Sequence, residues 1–282
     1  MKTGLVLEGG AMRGMFTAGV IDVMMEQGIV YDGAVGVSAG ACFGCNYKSG
    51  QIGRTIRYNE RFCRDKRYCS LRSLITTGDL YGADFCYHTI PEELDVFDIE
   101  AFYKNPMEFY VTCTDVKTGQ PVYKLCTEEV NHLEWMRASA SMPLASKIVT
   151  IDGGAYLDGG ISDSIPLKFM ESKGYEKNVV VLTQPASYRK KKNNMMPLIQ
   201  LTLGKYPKLV EAMRIRHEMY NETLLYIEKR EQAGDVFVLR PKEKLPVGHV
   251  EHNRKKLRQT YELGKCEMQS RLTELKAFLK EI

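Results

Sequence analysis

The stretch Ala34-Val35-Gly36-Val37-Ser38-Ala39-Gly40 decides how this 282-residue chain is read. Its first half is a short apolar run of strand character, and helical character begins at Ala39. A serine therefore stands at a strand-to-helix junction inside Gly-x-Ser-x-Gly. Given the serine and glycine content, chance supplies about 0.09 copies of that motif. Context adds to its weight. A tight turn at this point presents a hydroxyl at the C-terminal end of a strand. Glycines two residues to either side leave room for the turn, and the next helix aims its N-terminal amides at the same place. The plain alternative is a glycine-lined turn with an N-capping serine.

The unit before it repeats the pattern. Leu5-Val6-Leu7 suits a strand buried on both faces. Glu8-Gly9-Gly10-Ala11-Met12-Arg13-Gly14 follows as a glycine-rich turn, and Phe16, Val20, Val23 and Met24 then recur at helical spacing up to Gly28. Ala11 breaks the Gly-x-Gly-x-x-Gly dinucleotide pattern, and no Gly-Lys-Ser/Thr ending makes it a P-loop. An amide-rich turn opening a helix also suits an oxyanion, where one donor is worth about 3–4 kcal/mol of barrier. Two consecutive strand–helix units put both turns on the same edge of a parallel sheet. The expected fold is α/β, a three-layer α/β/α sandwich around a mostly parallel sheet.

Further strands are expected at Phe109–Thr114, Val179–Thr183 and Val236–Leu239. Arg189–Lys192 with Asn193 and Asn194 is the best linker. Met213, His217, Tyr220, Leu224 and Ile227 share one helix face that ends at Gly234, and Leu257 to Leu279 marks a last amphipathic helix. The expected organisation is a catalytic domain over residues 3–188 and a mostly helical C-terminal extension over 189–282. The boundary is soft, because Val236–Leu239 fits the main sheet as well.

A serine nucleophile needs a proton acceptor. None of His88, His132, His217, His249 and His252 lies in a glycine-rich or strand-end setting. Asp158 does, in Tyr156-Leu157-Asp158-Gly159-Gly160, on an expected loop after an apolar run. Partial burial would raise its pKa from about 3.9 and make it a better base. Asp152-Gly153-Gly154 is a near-duplicate and, on residues alone, an equal candidate; hairpin turns often read Asp-Gly-Gly.

Composition excludes several classes. The net charge of +4 is too mild to argue for nucleic acid. Eight cysteines make no disulfide scaffold, and Cys42-x-x-Cys45 reads as small buried residues on a helix. No secretory h-region and no membrane-length apolar run is visible, so a cytoplasmic protein touching membranes only at their surface is expected. Arg54, Arg57, Arg61 and Arg64 fall at helical spacing and read as a solvated face, with anionic headgroups as the alternative.

The three elements in this order resemble the patatin-like phospholipase family. Its pattern is Gly-Gly-Gly-x-Arg/Lys-Gly, then Gly-x-Ser-x-Gly, then Asp-Gly-Gly/Ala. It maps onto Gly9–Gly14, Gly36–Gly40 and Asp158–Gly160, and the likeness covers roughly residues 3–185. Ala138-Ser139-Ala140-Ser141-Met142-Pro143 looks like the family's small-residue segment ahead of that aspartate. Glu8, Met12-Arg13, Asp65–Tyr68 and the helical tail look like a bacterial subgroup with a C-terminal extension. The resemblance implies Ser38 as nucleophile and Asp158, rather than Asp152, as its partner. It also implies release of fatty acid from phospholipids, lysophospholipids or simpler esters, with no metal or other cofactor. The oxyanion would then fall to the amides of Gly10 and Ala11, with Gly9 beside them. Arg13 either braces the loop or meets a substrate phosphate. Ala11 departs from the pattern, and a positive φ there would cost about 1 kcal/mol. The alternatives are an α/β-hydrolase using His249 or His252, an acyltransferase of related architecture, and a binding scaffold without catalysis.

Overall fold

In the computed structural model, which describes residues 1–280, Leu5, Val6 and Leu7 are fully buried. The cause is their setting. Strand β1 (Lys2–Leu7) lies between two parallel neighbours and carries helices on both faces. Chain order then gives α1 (Gly14–Glu26), β2 (Gly33–Val37), α2 (Ala39–Ser49), α3 (Arg54–Phe62) and α4 (Leu71–Thr77). A π-helical segment (Phe85–Leu94) precedes α5 (Ile99–Lys104), β3 (Glu108–Asp115), β4 (Pro121–Leu125) and α6 (His132–Ser139). Next come β5 (Val149–Ile151), β6 (Gly154–Asp158), α7 (Leu167–Ser172) and β7 (Tyr175–Val181). There follow α8 (Met196–Leu203), α9 (Pro207–Gln232), β8 (Val236–Leu239), α10 (Arg254–Ser270) and α11 (Leu272–Lys280).

Strands β3, β2, β1, β7 and β8 lie side by side in that order, all parallel. Residues 110–112 of β3 pair with both β2 and β4, so those two strands occupy opposite edges of β3. Residues 113–114 pair with both β4 and β6, so β6 lies on the β2 edge. β3 thus changes partner along one edge. Thr112 faces Val37 of β2, and the next residue, Cys113, faces Asp158 of antiparallel β6.

Both faces of the sheet are covered, as the strand–helix alternation predicts. Leu5, Leu7 and Val181 share a core with α1, α2 and α10, whereas Val6, Val35 and Val180 share one with α7 and α9. Residues beyond 188 contribute to all three layers. β8 pairs with β7, α9 covers one face, and α10 packs on α1. Cys42 and Cys45 sit on α2 as expected, and burial pushes both thiols up to about 12.

One expectation is corrected. The last amphipathic stretch is two helices, not one. Its break falls at Arg271, whose guanidinium donates to the Val238 carbonyl at 2.6 Å and stacks over Phe237. The arginine stripe is exposed at Arg57, Arg61 and Arg64, as a solvated face requires, whereas Arg54 turns inward. Arg54 is 4% exposed and donates to the Asp95 carbonyl and Asn46, Arg57 pairs with the Asp95 carboxylate, and Arg61 donates to the Leu94 carbonyl. These arginines pin the C-terminal end of the π-helical segment.

The α1–α10 crossing depends on two glycines. A β-carbon at Gly19 would stand 2.0 Å from the Tyr261 carbonyl oxygen, and one at Gly264 would stand 2.0 Å from the Phe16 carbonyl oxygen. Backbone cannot yield as a flexible side chain can. Gly264→Ala should therefore cost about 3 kcal/mol in denaturant unfolding, at the upper end of typical overpacking costs. An unchanged midpoint would show that the two helices separate freely.

Candidate active site

Ser38 links β2 to α2 with φ 54° and ψ −121°, a conformation that costs a non-glycine residue about 1–3 kcal/mol. The surroundings hold it there. The Ser38 amide donates to Ser139 Oγ at 2.8 Å, and the Ser139 hydroxyl donates to the Thr112 carbonyl at 2.6 Å. Ser139 is fully buried. The flanking glycines are needed for close approach. A β-carbon at Gly36 would lie 2.5 Å from Ala41 Cα, and one at Gly40 would lie 2.3 Å from the Leu7 carbonyl oxygen. The second contact presses α2 against the end of β1, where the glycine-rich turn begins.

That turn lies where β1 parts from β2 on one side and β7 on the other, the usual ligand position in an open α/β sheet. Glu8 anchors it. Its carboxylate accepts the Thr183 amide at 2.6 Å, the Thr183 hydroxyl at 3.1 Å and the Tyr220 hydroxyl at 2.5 Å. Among the described residues, no acceptor takes the amides of Gly9, Gly10 or Ala11. Ala11 has φ 48°, so the position does require the left-handed region and alanine carries its cost there.

Asp158 is the last residue of β6 rather than part of a loop. Its amide donates to the Ser141 carbonyl at 2.9 Å, and its carbonyl accepts the Thr114 hydroxyl at 2.8 Å. Carboxylate Oδ1 accepts the Gly160 amide at 2.7 Å. Burial raises the pKa of this carboxyl above its usual value; Arg216, the Ser38 hydroxyl and the Gly160 amide pull the other way. Ser38 and Asp158 line one cleft. Asp152 lies elsewhere. With Gly153 it forms the two-residue turn between β5 and β6, both at positive φ, and its carboxylate pairs with Lys124 at 3.1 Å. The two Asp-Gly-Gly copies are a hairpin turn and a cleft carboxylate.

Ser38, Ala11 and Met142 separate two cavities of different character. One is apolar, walled by Phe43, Tyr58, Ile90, Phe97 and Met136, with the π-helical segment along one side. The other is polar and opens past Asp158 toward Arg13, Lys190 and Arg216. His249 reaches this second cavity; burial and the same three cations lower its pKa. His252 bonds the Cys63 carbonyl, His88 pairs with Glu92, and His132 stacks on Phe102.

Sequence reading missed Ser139 as a support, although it named the segment that contains it. It missed Arg216 as well. A signal was present: Arg216 lies between Met213 and Tyr220 on the face that helix turns inward. Lys190 was read as part of a linker.

A family model described as patatin-like phospholipase matches residues 5–170. A second, described as a domain of unknown function (DUF6363), matches residues 206–280. The uncharacterized protein YjjU of Escherichia coli (strain K12) is 29% identical over 94% of this chain and 75% of its own length. Lysophospholipase nte1 of Aspergillus oryzae is 29% identical over 61% of this chain, a match spanning only 11% of that protein. The crystal structure of VipD from Legionella pneumophila shares the fold, with a TM-score of 0.50 and 13% identity over 97% of this chain and 67% of that one. No helix among the described residues is long and apolar enough to cross a membrane. The family model spans more than half of the chain, over the strands that carry Ser38 and Asp158, and the chain belongs to the patatin-like phospholipase family.

Proposed function

We propose that this chain hydrolyses acyl esters of lipids, with Ser38 as nucleophile and Asp158 as general base. The observation that supports this best is the grouping in one cleft beyond the ends of β1, β2 and β6: a strained serine, a buried carboxylate and three unclaimed amides. In the first half-reaction Ser38 Oγ attacks the ester carbonyl carbon and its proton passes to Asp158. The amides of Gly10 and Ala11, with Gly9 beside them, hold the oxyanion. Collapse breaks the ester bond, and protonated Asp158 returns the proton to the leaving alcohol. Water then attacks the acyl carbon with Asp158 again as base, the Ser38 Oγ–acyl bond breaks, Asp158 returns the proton to Oγ, and fatty acid departs.

Burial serves this role. It raises the basicity of Asp158, as a general base requires. The apolar cavity suits the acyl chain and the polar one suits the leaving group. The fungal relatives carry the name lysophospholipase, which supports phospholipids or lysophospholipids as the substrate class.

Ser38→Ala and Asp158→Asn should each reduce p-nitrophenyl ester turnover by at least about 10³-fold in folded protein. Near-normal turnover by either variant refutes the assignment, and a fluorophosphonate probe that fails to label Ser38 favours a scaffold. Asp158 must be ionised to act. Because its folded pKa is raised, kcat/KM should fall with decreasing pH through a midpoint above the ordinary carboxylate range of about 3.9. Arg216→Gln, which removes a charge favouring the anion, should move that midpoint higher; a downward move contradicts the assignment. Ser139→Ala strands the Ser38 amide and the Thr112 carbonyl. It should cost about 1–3 kcal/mol of stability together with turnover, read by thermal melts and kinetics side by side.

A further inference from the structure

The polar cavity holds more positive charge than ester hydrolysis requires. Arg13 opens α1, Lys190 lies ahead of α8, and Arg216 projects from α9, yet all three line the cavity that contains Ser38 and Asp158. None of the three side chains forms an ion pair or hydrogen bond with the described residues. The Nε atoms of Arg13 and Arg216 are buried without a partner. Among the described residues, no hydrogen bond therefore braces Arg13. Arg216 reaches close to the catalytic carboxylate: a β-carbon built on Gly160 would stand 2.9 Å from Arg216 Nη2 and 3.0 Å from Asp158 Oδ1.

The facing acids do not use up this charge. Glu8 is engaged by Thr183 and Tyr220, and Asp158, which Arg216 helps to keep ionised, is a single carboxylate beside three cations. Lys190 Nζ lies 4.6 Å from the centre of the Tyr220 ring, without a carboxylate partner. Burial and repulsion by Arg216 lower its pKa to about 8, and the same three cations depress His249. Unpaired cations crowded into a partly buried cleft are costly unless an anion joins them. Arginine forks suit phosphate oxygens in particular.

We infer that Arg13, Lys190 and Arg216 form a subsite for a phosphate on the alcohol side of the substrate. Two of these cations lie outside residues 5–170, and Arg216 lies within the domain of unknown function at 206–280. The C-terminal region thereby selects the substrate: acyl esters with a phosphate-bearing headgroup are favoured over neutral glycerides. Naming the substrate this way rests on the acyl-hydrolase reading; the anion subsite itself does not.

The test separates the two. In Ser38→Ala protein, binding of 1-oleoylglycerol 3-phosphate and of 1-oleoylglycerol is measured in neutral-detergent micelles. The phosphate form should bind at least tenfold tighter, and Lys190→Gln with Arg216→Gln should bring the two affinities together. Equal affinities in the parent, or an unchanged ratio in the double variant, overturn the subsite. In Ser38-containing protein the ratio of kcat/KM for the two lipids should fall by the same factor, through KM. Taking a ratio cancels any effect of Arg216 on Asp158. Lys190→Arg should retain the preference, which a merely structural lysine would not require. If neither lipid is hydrolysed but the binding preference holds, the hydrolase reading fails and the subsite stands. Inorganic phosphate that competes as well as the lipid phosphate assigns the cluster to free anion and overturns the headgroup assignment.

Discussion

The edge of β3 is the constraint on which the site depends. A strand has two edges, and β3 gives one of them first to β2 and then, one residue later, to β6. The hand-over puts the C-terminal end of β2 and the C-terminal end of β6 at adjacent register positions although the strands run in opposite directions. Thr112 sits at the junction. Its carbonyl receives the Ser139 hydroxyl that holds the Ser38 amide, and a β-carbon on Gly159 would stand only 2.1 Å from its oxygen. The small-residue segment at the C-terminal end of α6 clamps both sides of this junction, through the Ser139 side chain on Ser38 and the Ser141 carbonyl on Asp158.

Strain is concentrated at the same place. Ser38 and Ala11 both occupy positive φ, and the glycines flanking Ser38 press against backbone that cannot move away. Such conformations persist only where neighbouring contacts over-determine them. Here those contacts are buried hydrogen bonds. Glu8 ties the glycine-rich turn to β7 and α9, and the Ser139 hydroxyl ties the elbow to β3. The turn's amides, among the described residues, are left without an acceptor beside the cleft.

The segment beyond residue 188 is tied into this arrangement at several points. Tyr220 of α9 is one of the groups that hold Glu8, β8 extends the parallel sheet, and α10 covers α1 through the Gly19–Gly264 approach. On the far side of Ser38, the π-helical segment walls the apolar cavity, and the α3 arginines grip its end at Leu94 and Asp95. One serine thus faces an apolar wall built mostly before β3 and a cationic wall built partly after β7.

Sequence alone determined what is local. Periodicity and glycine placement located β1, β2, β3, α1 and α9, because a strand buried on both faces and an inward helix stripe leave their pattern in consecutive residues. The glycine-rich turn and the elbow were legible for the same reason, since close backbone approach demands glycine at fixed spacing. Only tertiary structure decided the rest. Asp152 and Asp158 sit in matching Asp-Gly-Gly triplets; residues alone left them equal, and resemblance to a family chose between them. What separates them physically is that one closes a hairpin while the other ends beside Cys113. The inward turn of Arg54 was not legible, because the Asp95 carbonyl that receives it lies about 40 residues away. Arg13, Lys190 and Arg216 carry no common motif, because the contacts that gather them are long-range and run through the sheet's open end.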